Sequence, residues 1–323
     1  MLTVKQIFDL GIKIGIASDP RGVQGIKKYL ARQKKEYDDL KPKDKGFFDR
    51  ETLTNPFPDS GIHVDDGKSN VKMVMAGIDI NAPEILLASQ LNERGKKIGL
   101  VIAHHPEGKA LGKLHEVMEM GVDIGMALGL PVHLAEKIME ERMREVARSL
   151  SAANLYQAVN VAEHLGINFI NAHTITDNLV HTFIANLIAK RQPETIADLM
   201  DLLMEIPEYQ MAKRLGFGPV IFAGTPRNRV GKIMIEMTGG TEPSPKVYPE
   251  LSRIGISTIV GMHMRKETLE KSNEAQLNVV VAGHMSSDSL GMNLFLDELE
   301  KKGIEIVPCG GLIRVSRVKK GKK

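Results

Sequence analysis

Residues 98–106, IGLVIAHHP, limit what this chain can fold into more than any other stretch. An uncharged run this short, set between Lys96-Lys97 and a proline, reads as a strand buried on both faces, of the kind found in parallel sheets. Pro106 ends it, because proline cannot donate to a sheet ladder. The strand therefore delivers His104 and His105 to an open sheet edge. Neighbouring side chains on a strand point to opposite faces, so the two imidazoles are poorly placed to grip one ion together and better placed to serve two.

Two further apolar runs close in the same way, LNVVVAGH at 277–284 and INFINAH at 167–173. In open α/β sheets ligands collect beyond the carboxyl ends of the strands, so these exits point to one convergent site. The chain has 1 cysteine, Cys309, which excludes an internal disulfide and a cysteine-rich zinc site. Histidine and carboxylate remain as ligands, and a cytoplasmic location is favoured. Asp177 and Asp288 each follow a strand-exit histidine by one helical turn. Taken singly, each reads as a helix cap or as a charge at a helix's positive end. Taken with His104, His105 and His284 they form a set of nitrogen and oxygen donors suited to two divalent ions sharing a carboxylate.

The expected organisation is α/β. Residues 1–70 read as a helical lead-in: a first helix capped by Thr3 and Gln6, a second opened by Asp19-Pro20, then turns. Residues 71–185 read as a first α/β half, with strand, helix and strand at 71–79, 83–93 and 98–103 and a helical insertion at 111–165. Residues 186–323 read as a second half, in which 258–262, 266–276 and 277–281 repeat that order and end on His284, an internal duplication. Closing strands are expected at 304–307 and 312–318. Lone helical histidines in the insertion, His115, His133 and His164, read as packing or surface residues. Gly216-Phe217-Gly218 is no dinucleotide fingerprint, since the motif is incomplete and no strand leads into it.

With 323 residues and 42% hydrophobic content the chain can bury a sizeable core. Its net charge of +3 is concentrated in the final VKKGKK, and only 4% of residues are aromatic, which argues against a nucleic-acid surface. The N-terminus lacks the layout of a signal peptide, and no apolar run approaches the roughly 18 residues of a membrane helix.

The ordered set AHHP, AHTITD and AGHMSSDSLG resembles the Nif-three-like family (Ngg-one-interacting factor three), whose members are also described as GTP cyclohydrolase I type 2 homologs. The resemblance runs from about Asn55 to the C-terminus, with PFPDSGIHV standing where the family has its WDNVGL-like segment. It implies two similar three-layer α/β domains with swapped C-terminal strands, a dinuclear site between them and a toroidal homohexamer. By that resemblance His104 and His105 each bind one ion (zinc, iron, manganese or nickel), Asp177 joins the His105 ion, His284 joins the His104 ion, and Asp288 bridges. The chain departs from the family at Glu107-Gly108, where apolar residues are usual, and at Val260-Gly261-Met262, in place of a TGE-like motif. It also has the shorter Asp288 in place of a glutamate, reaching roughly 1.5 Å less, which predicts ions drawn together or one ion only. Two ions would support metal-assisted hydrolysis, on a nucleotide or phosphoester by family label, with His173, Glu107 and His263 as candidate proton carriers. The rival reading is a non-catalytic metal-binding or regulatory assembly.

Overall fold

Short apolar strands alternating with helices cannot bury both faces of a sheet alone, and the chain solves this with two sheets, each covered by helices on both sides. The computed structural model describes residues 2–319; the last residues of the basic tail, 320–323, lie outside them. The chain opens with α1 (Val4–Ala17) and α2 (Gly22–Asp39). Thr3 and Gln6 form the expected capping box on α1, and the Asp19 carboxylate accepts the Arg21 amide at the start of α2.

The first half continues through β1 (Ser60–Val64), β2 (Met73–Gly77), α3 (Ala82–Glu93) and β3 (Leu100–Ala103). The helices α4 (Gly108–Gly112), α5 (Leu114–Val117), α6 (Met120–Leu128), α7 (Val132–Leu150) and α8 (Gln157–Leu165) lead to β4 (Phe169–Ala172) and α9 (His173–Arg191). The second half comprises α10 (Ile196–Leu203), α11 (Pro207–Arg214), β5 (Val220–Ala223), β6 (Lys232–Glu236), α12 (Val247–Arg253), β7 (Ile256–Gly261) and α13 (Lys266–Glu274). It ends with β8 (Asn278–Val281), α14 (His284–Glu300) and β9 (Glu305–Cys309).

The sheets run β1-β4-β3-β2-β9 and β5-β8-β7-β6. Only the edge strands β1 and β5 are antiparallel to their neighbours, and β3 is buried at every position, as its uncharged sequence requires. The C-terminal strand β9 returns to pair with β2 in the first sheet, from Met73↔Glu305 to Gly77↔Cys309. A single strand makes this return. Residues 312–318 are not a strand; Arg314 and Arg317 fasten that segment to Asp297, Glu300 and Glu208 by ion pairs, an arrangement its apolar alternation does not reveal.

The duplication is present in a different register from the expected one. An antiparallel edge strand, then strand, helix, strand, helical crossover, strand and helix describes both β1 to α9 and β5 to α14. Thus β4–α9 corresponds to β8–α14, and β3 corresponds to β7. The expected match of β3 with β8 followed the strand-exit histidines alone and left out of the repeat the strand legible at 230–237, which is β6 and whose exit carries none. The lead-in likewise contains more than helices and turns: residues 60–64 form β1, held to β4 from Ser60↔Ala172 to Val64↔Phe169.

The helical insertion is internal cover. Helix α8 packs on α3 as the crossover between β3 and β4. Leu130 and Ala135, next to and within α7, join Tyr248, Leu251, Ile256 and Ile259 in the core under the second sheet. Arg142 Nε donates to the Glu242 carbonyl at 3.0 Å, tying the insertion to that half. The central helices α9 and α14 serve both halves: Ile175, Met292, Phe295 and Leu296 fill the first core, and Val180, Ile184 and Leu290 fill the second. Helices buried on so many sides carry apolar residues all round, and no single stripe marks them in the sequence.

Candidate metal centre

Each half places a helix directly after a strand exit, and each of these helices carries a histidine and an aspartate one turn apart: His173 and Asp177 on α9, His284 and Asp288 on α14. The two helices cross near their N-termini, and β3 ends with His104 and His105 beside the crossing. His104 Nε2 lies 3.6 Å from Asp177 Oδ1 and 3.4 Å from Asp288 Oδ1. On the other side of the same carboxylate, Asp288 Oδ2 lies 3.6 Å from His105 Nε2 and 3.4 Å from His284 Nε2. Asp288 thus stands between two donor groups, His104 with Asp177 and His105 with His284. The expected pairing was the reverse, Asp177 with His105 and His284 with His104. It fails because Asp177 enters from α9, which lies on the His104 side.

The far side of three of the imidazoles, His104, His105 and His173, is fixed. Thr176 Oγ1 donates to the Ala172 carbonyl at 2.7 Å, so its contact with His104 Nδ1 at 2.9 Å requires the ring to be the donor there. His105 Nδ1 is 2.6 Å from Asp79 Oδ1, and His173 Nδ1 is 2.7 Å from Asp59 Oδ2. A carboxylate accepts only, so these nitrogens also carry the hydrogen. The Nε2 atoms of His104 and His105 then face the centre as lone pairs, and that of His173 does so once it gives up its proton, the arrangement seen where histidines hold a metal and outer carboxylates orient them. His104 Nε2, Asp177 Oδ1 and both Asp288 oxygens are buried without a hydrogen-bond partner. Lone pairs directed at carboxylate oxygens in a buried space repel unless a cation lies between them. On donor chemistry and orientation, the cluster fits divalent cations.

A crystal structure of a NIF3 superfamily protein from Sphaerobacter thermophilus superimposes with a TM-score of 0.70 at 28% identity, covering 79% of this chain and 92% of that one. The chain is NIF3-like. Weaker similarities, to reduced HcgD from Methanocaldococcus jannaschii (TM-score 0.49, 14% identity, 77% of this chain and 88% of that one) and to a Bacillus cereus protein related to NIF3 (0.42, 12%, 90% and 97%), extend over comparable lengths. No family model and no curated protein matches the sequence.

Electrostatics in this NIF3-like site sort the ligands. Burial pushes His104 down to about 4, against the pull of Asp288, so it stays neutral. Burial opposes charge on Asp288 too, but the imidazoles of His104, His284 and His105 outweigh it and hold the carboxyl at about 2. Asp177 is driven well above the carboxylate range by burial, with Asp288 and Asp59 adding and His173 opposing. His173 goes the other way: burial works against its charge, but Asp177, Asp59 and Asp288 raise it to about 9.

Among the candidate proton carriers, His173 sits inside the cluster, its ring 4.9 Å from that of His104. His263 lies edge-on to His284 at 4.7 Å and lines the adjoining cavity. Glu107 stands outside that lining, half-buried, and is raised to about 7 by burial and by Asp79, with His105 opposing. The sequence reading missed the orienting residues Asp59, Asp79 and Thr176. Asp79 could have been found, since it follows β2 at the same sheet edge as the histidines; Asp59 precedes a strand that the turn-rich composition concealed.

Proposed function

We propose that the chain is a dinuclear divalent-metal protein that acts as a metal-dependent hydrolase on a nucleotide or phosphoester-type substrate. The observation that carries this reading is the convergence of the Nε2 atoms of His104, His105 and His173, each ring tied back through Nδ1, on the unpartnered oxygens of Asp177 and Asp288. His104, Asp177 and Asp288 would hold one ion, and His105, His284 and Asp288 the other. Bound divalent ions supply Lewis acidity, polarising a substrate oxygen and lowering the pKa of water. Within the protein, Asp59 holds His173 in position to take or give a proton at Nε2, and Asp79 does the same for the orientation of His105. His284, with 40% of its side chain exposed, marks the side from which substrate enters.

A second reading has its own support. The cavity beside the ligands is about 50 Å³, room for a few waters or one small oxyanion. Such confinement suits ions that are held for structure or regulation as well as it suits catalysis. Elemental analysis of the purified protein, then hydrolysis of model phosphomonoesters and phosphodiesters with and without chelator, tests both. Chelator-sensitive turnover supports the hydrolase. A melting temperature that collapses on chelation, with no turnover in the loaded protein, supports the structural reading.

We place the protein in the cytoplasm on its single cysteine, whose thiol burial raises to about 11. Among the described residues no helix is long and apolar enough to cross a membrane. Homo-oligomerisation, as a hexamer by the resemblance, is also part of the proposal. Its support lies on the second half, where Met211, Leu215, Phe217, Val220 and Phe222 stand exposed on and beside the edge strand β5.

A further inference from the structure

The cavity beside the ligand cluster is lined from two sets of elements, β3, α9 and α14 on the one hand and β6 with the loop after it on the other. The first set carries His104, His173, Asp177, His284 and Asp288; the second carries Glu236, Thr238, Thr241 and Glu242. Among the described residues neither lysine nor arginine lines it. Glu236 is the last residue of β6, at the carboxyl edge of the second sheet, opposite Gly261 of β7. Its Oε2 accepts the hydroxyl of Tyr248, which lies fully buried on α12, at 2.7 Å. Oε1 has no protein partner and no cation forms an ion pair with Glu236 among the described residues. Its acidic neighbour Glu242 is matched, through the Arg265 backbone amide at 3.0 Å and an ion pair with the Arg265 guanidinium.

We propose that Glu236 is the proton-donating carboxylic acid of this cavity, placed across from the ligand cluster to hydrogen-bond an oxyanion bound there. The inference rests on the metal-centre reading and adds the group that meets the ligand's far side. A carboxylate would repel an anion in a space with no lysine or arginine; a carboxylic acid donates to it. The surroundings favour the acid. Burial raises the carboxyl to about 8, the Tyr248 hydroxyl opposing and Glu242 adding. The charged and titratable groups packed around it are Tyr248 from α12, Glu242 from the loop after β6 with its partner Arg265, His263 from the loop after β7, and His173 with Asp177 from α9. None is a cation free to hold Glu236 ionised, since Arg265 is committed to Glu242 and His173 to Asp59. The predicted ligand is therefore an oxyanion that accepts a hydrogen bond from the protein on the side away from the metals.

Two measurements on the full chain decide the matter. In protein labelled with carbon-13 at glutamate side-chain carboxyls and kept metal-free, one resonance absent from Glu236→Gln should titrate between about pH 7 and 9; a resonance that titrates near the ordinary glutamate value overturns the proposal. In zinc-loaded protein, with the load verified by elemental analysis, sulfate is the probe, because its charge is constant over this range. Wild type should bind sulfate at least ~10-fold more tightly near pH 6 than near pH 9, as a charge-assisted donor is lost and a repelling charge gained. Glu236→Gln keeps a donor and should lose most of that difference, and Glu236→Ala should bind weakly at both values. A glutamine variant with the wild-type pH dependence, or an alanine variant binding as wild type does, refutes the assignment. If zinc does not load, the metal-centre reading fails on its own, and the carboxyl resonance still decides whether Glu236 is an acid at neutral pH.

Discussion

Gly291 on α14 lies so close to the Thr176 carbonyl on α9 that a Cβ built on it would stand 2.3 Å from that oxygen. The close crossing is what brings Asp288 to the centre. Across this crossing the short Asp288 carboxylate comes within 3.6 Å of all three imidazoles. Gly291→Ala should force the helices apart, costing about 1–3 kcal/mol as an overpacked core position does. The same displacement moves Asp288 away from Asp177, so metal content should fall together with the melting temperature. Wild-type melting with full metal content in this variant would show that the crossing has slack.

Asp288 itself is 1% exposed and has imidazole nitrogens within 3.6 Å on two sides. Asp288→Asn removes the shared charge and should leave at most one ion per chain by elemental analysis. Asp288→Glu, which the sequence alone recommends as a repair toward the family pattern, should lower the melting temperature without raising metal content, because the added methylene pushes the carboxylate past nitrogens already within 3.6 Å. A glutamate variant with more metal and undiminished stability would show that the short side chain does limit bridging.

Metal uptake should release protons. Before loading, His173 is charged below about 9 and Asp177 is held well above the carboxylate range. A cation arriving beside them favours their deprotonated forms, so protons leave as the ion enters and apparent affinity rises with pH toward the His173 value. Calorimetric titration with zinc in two buffers of different ionisation enthalpy measures the number released. Buffer-independent heats and a pH-independent affinity would contradict the assigned protonation states.

What could be read from the sequence divides along local and non-local lines. The strand ending at His104-His105 was legible because apolar content, length and a terminal proline are all local. The donor set was legible because Ala-His exits recur. Which donor joins which was not, since it depends on the side from which α9 and α14 approach. Nor was β1: Ser60, Gly61 and His63 mimic a loop, and only pairing with β4 makes them a strand. The apolar spacing of the insertion, at 111–165, is equally ambiguous between internal cover and a surface for association. It signalled a face to be covered, but that face meets Tyr248 and Leu251 of the same chain.

Association should instead depend on the apolar surface around β5. Leu215 is 64% exposed, and Phe217, Val220 and Phe222 lie beside it on an edge with free backbone donors and acceptors. Phe217→Asp combined with Val220→Lys should yield a smaller species by light scattering, with the metal content of the remaining protein unchanged. An unaltered particle mass would place the interface elsewhere.

The pairing of β9 with β2 has a consequence for the order of events during synthesis. Until residue 309 has left the ribosome, β2 is an edge strand with an unpaired side, and α14, which fills the first core with Phe295 and Leu296, is also missing. The early-made half cannot complete its own folding, and it waits with a sticky edge while the late-made half emerges. The nascent chain should therefore be a client of holding chaperones almost to its end. The ligands on α14 and the strand that seals the first sheet arrive within one short stretch, so site assembly and sheet closure are effectively a single late step.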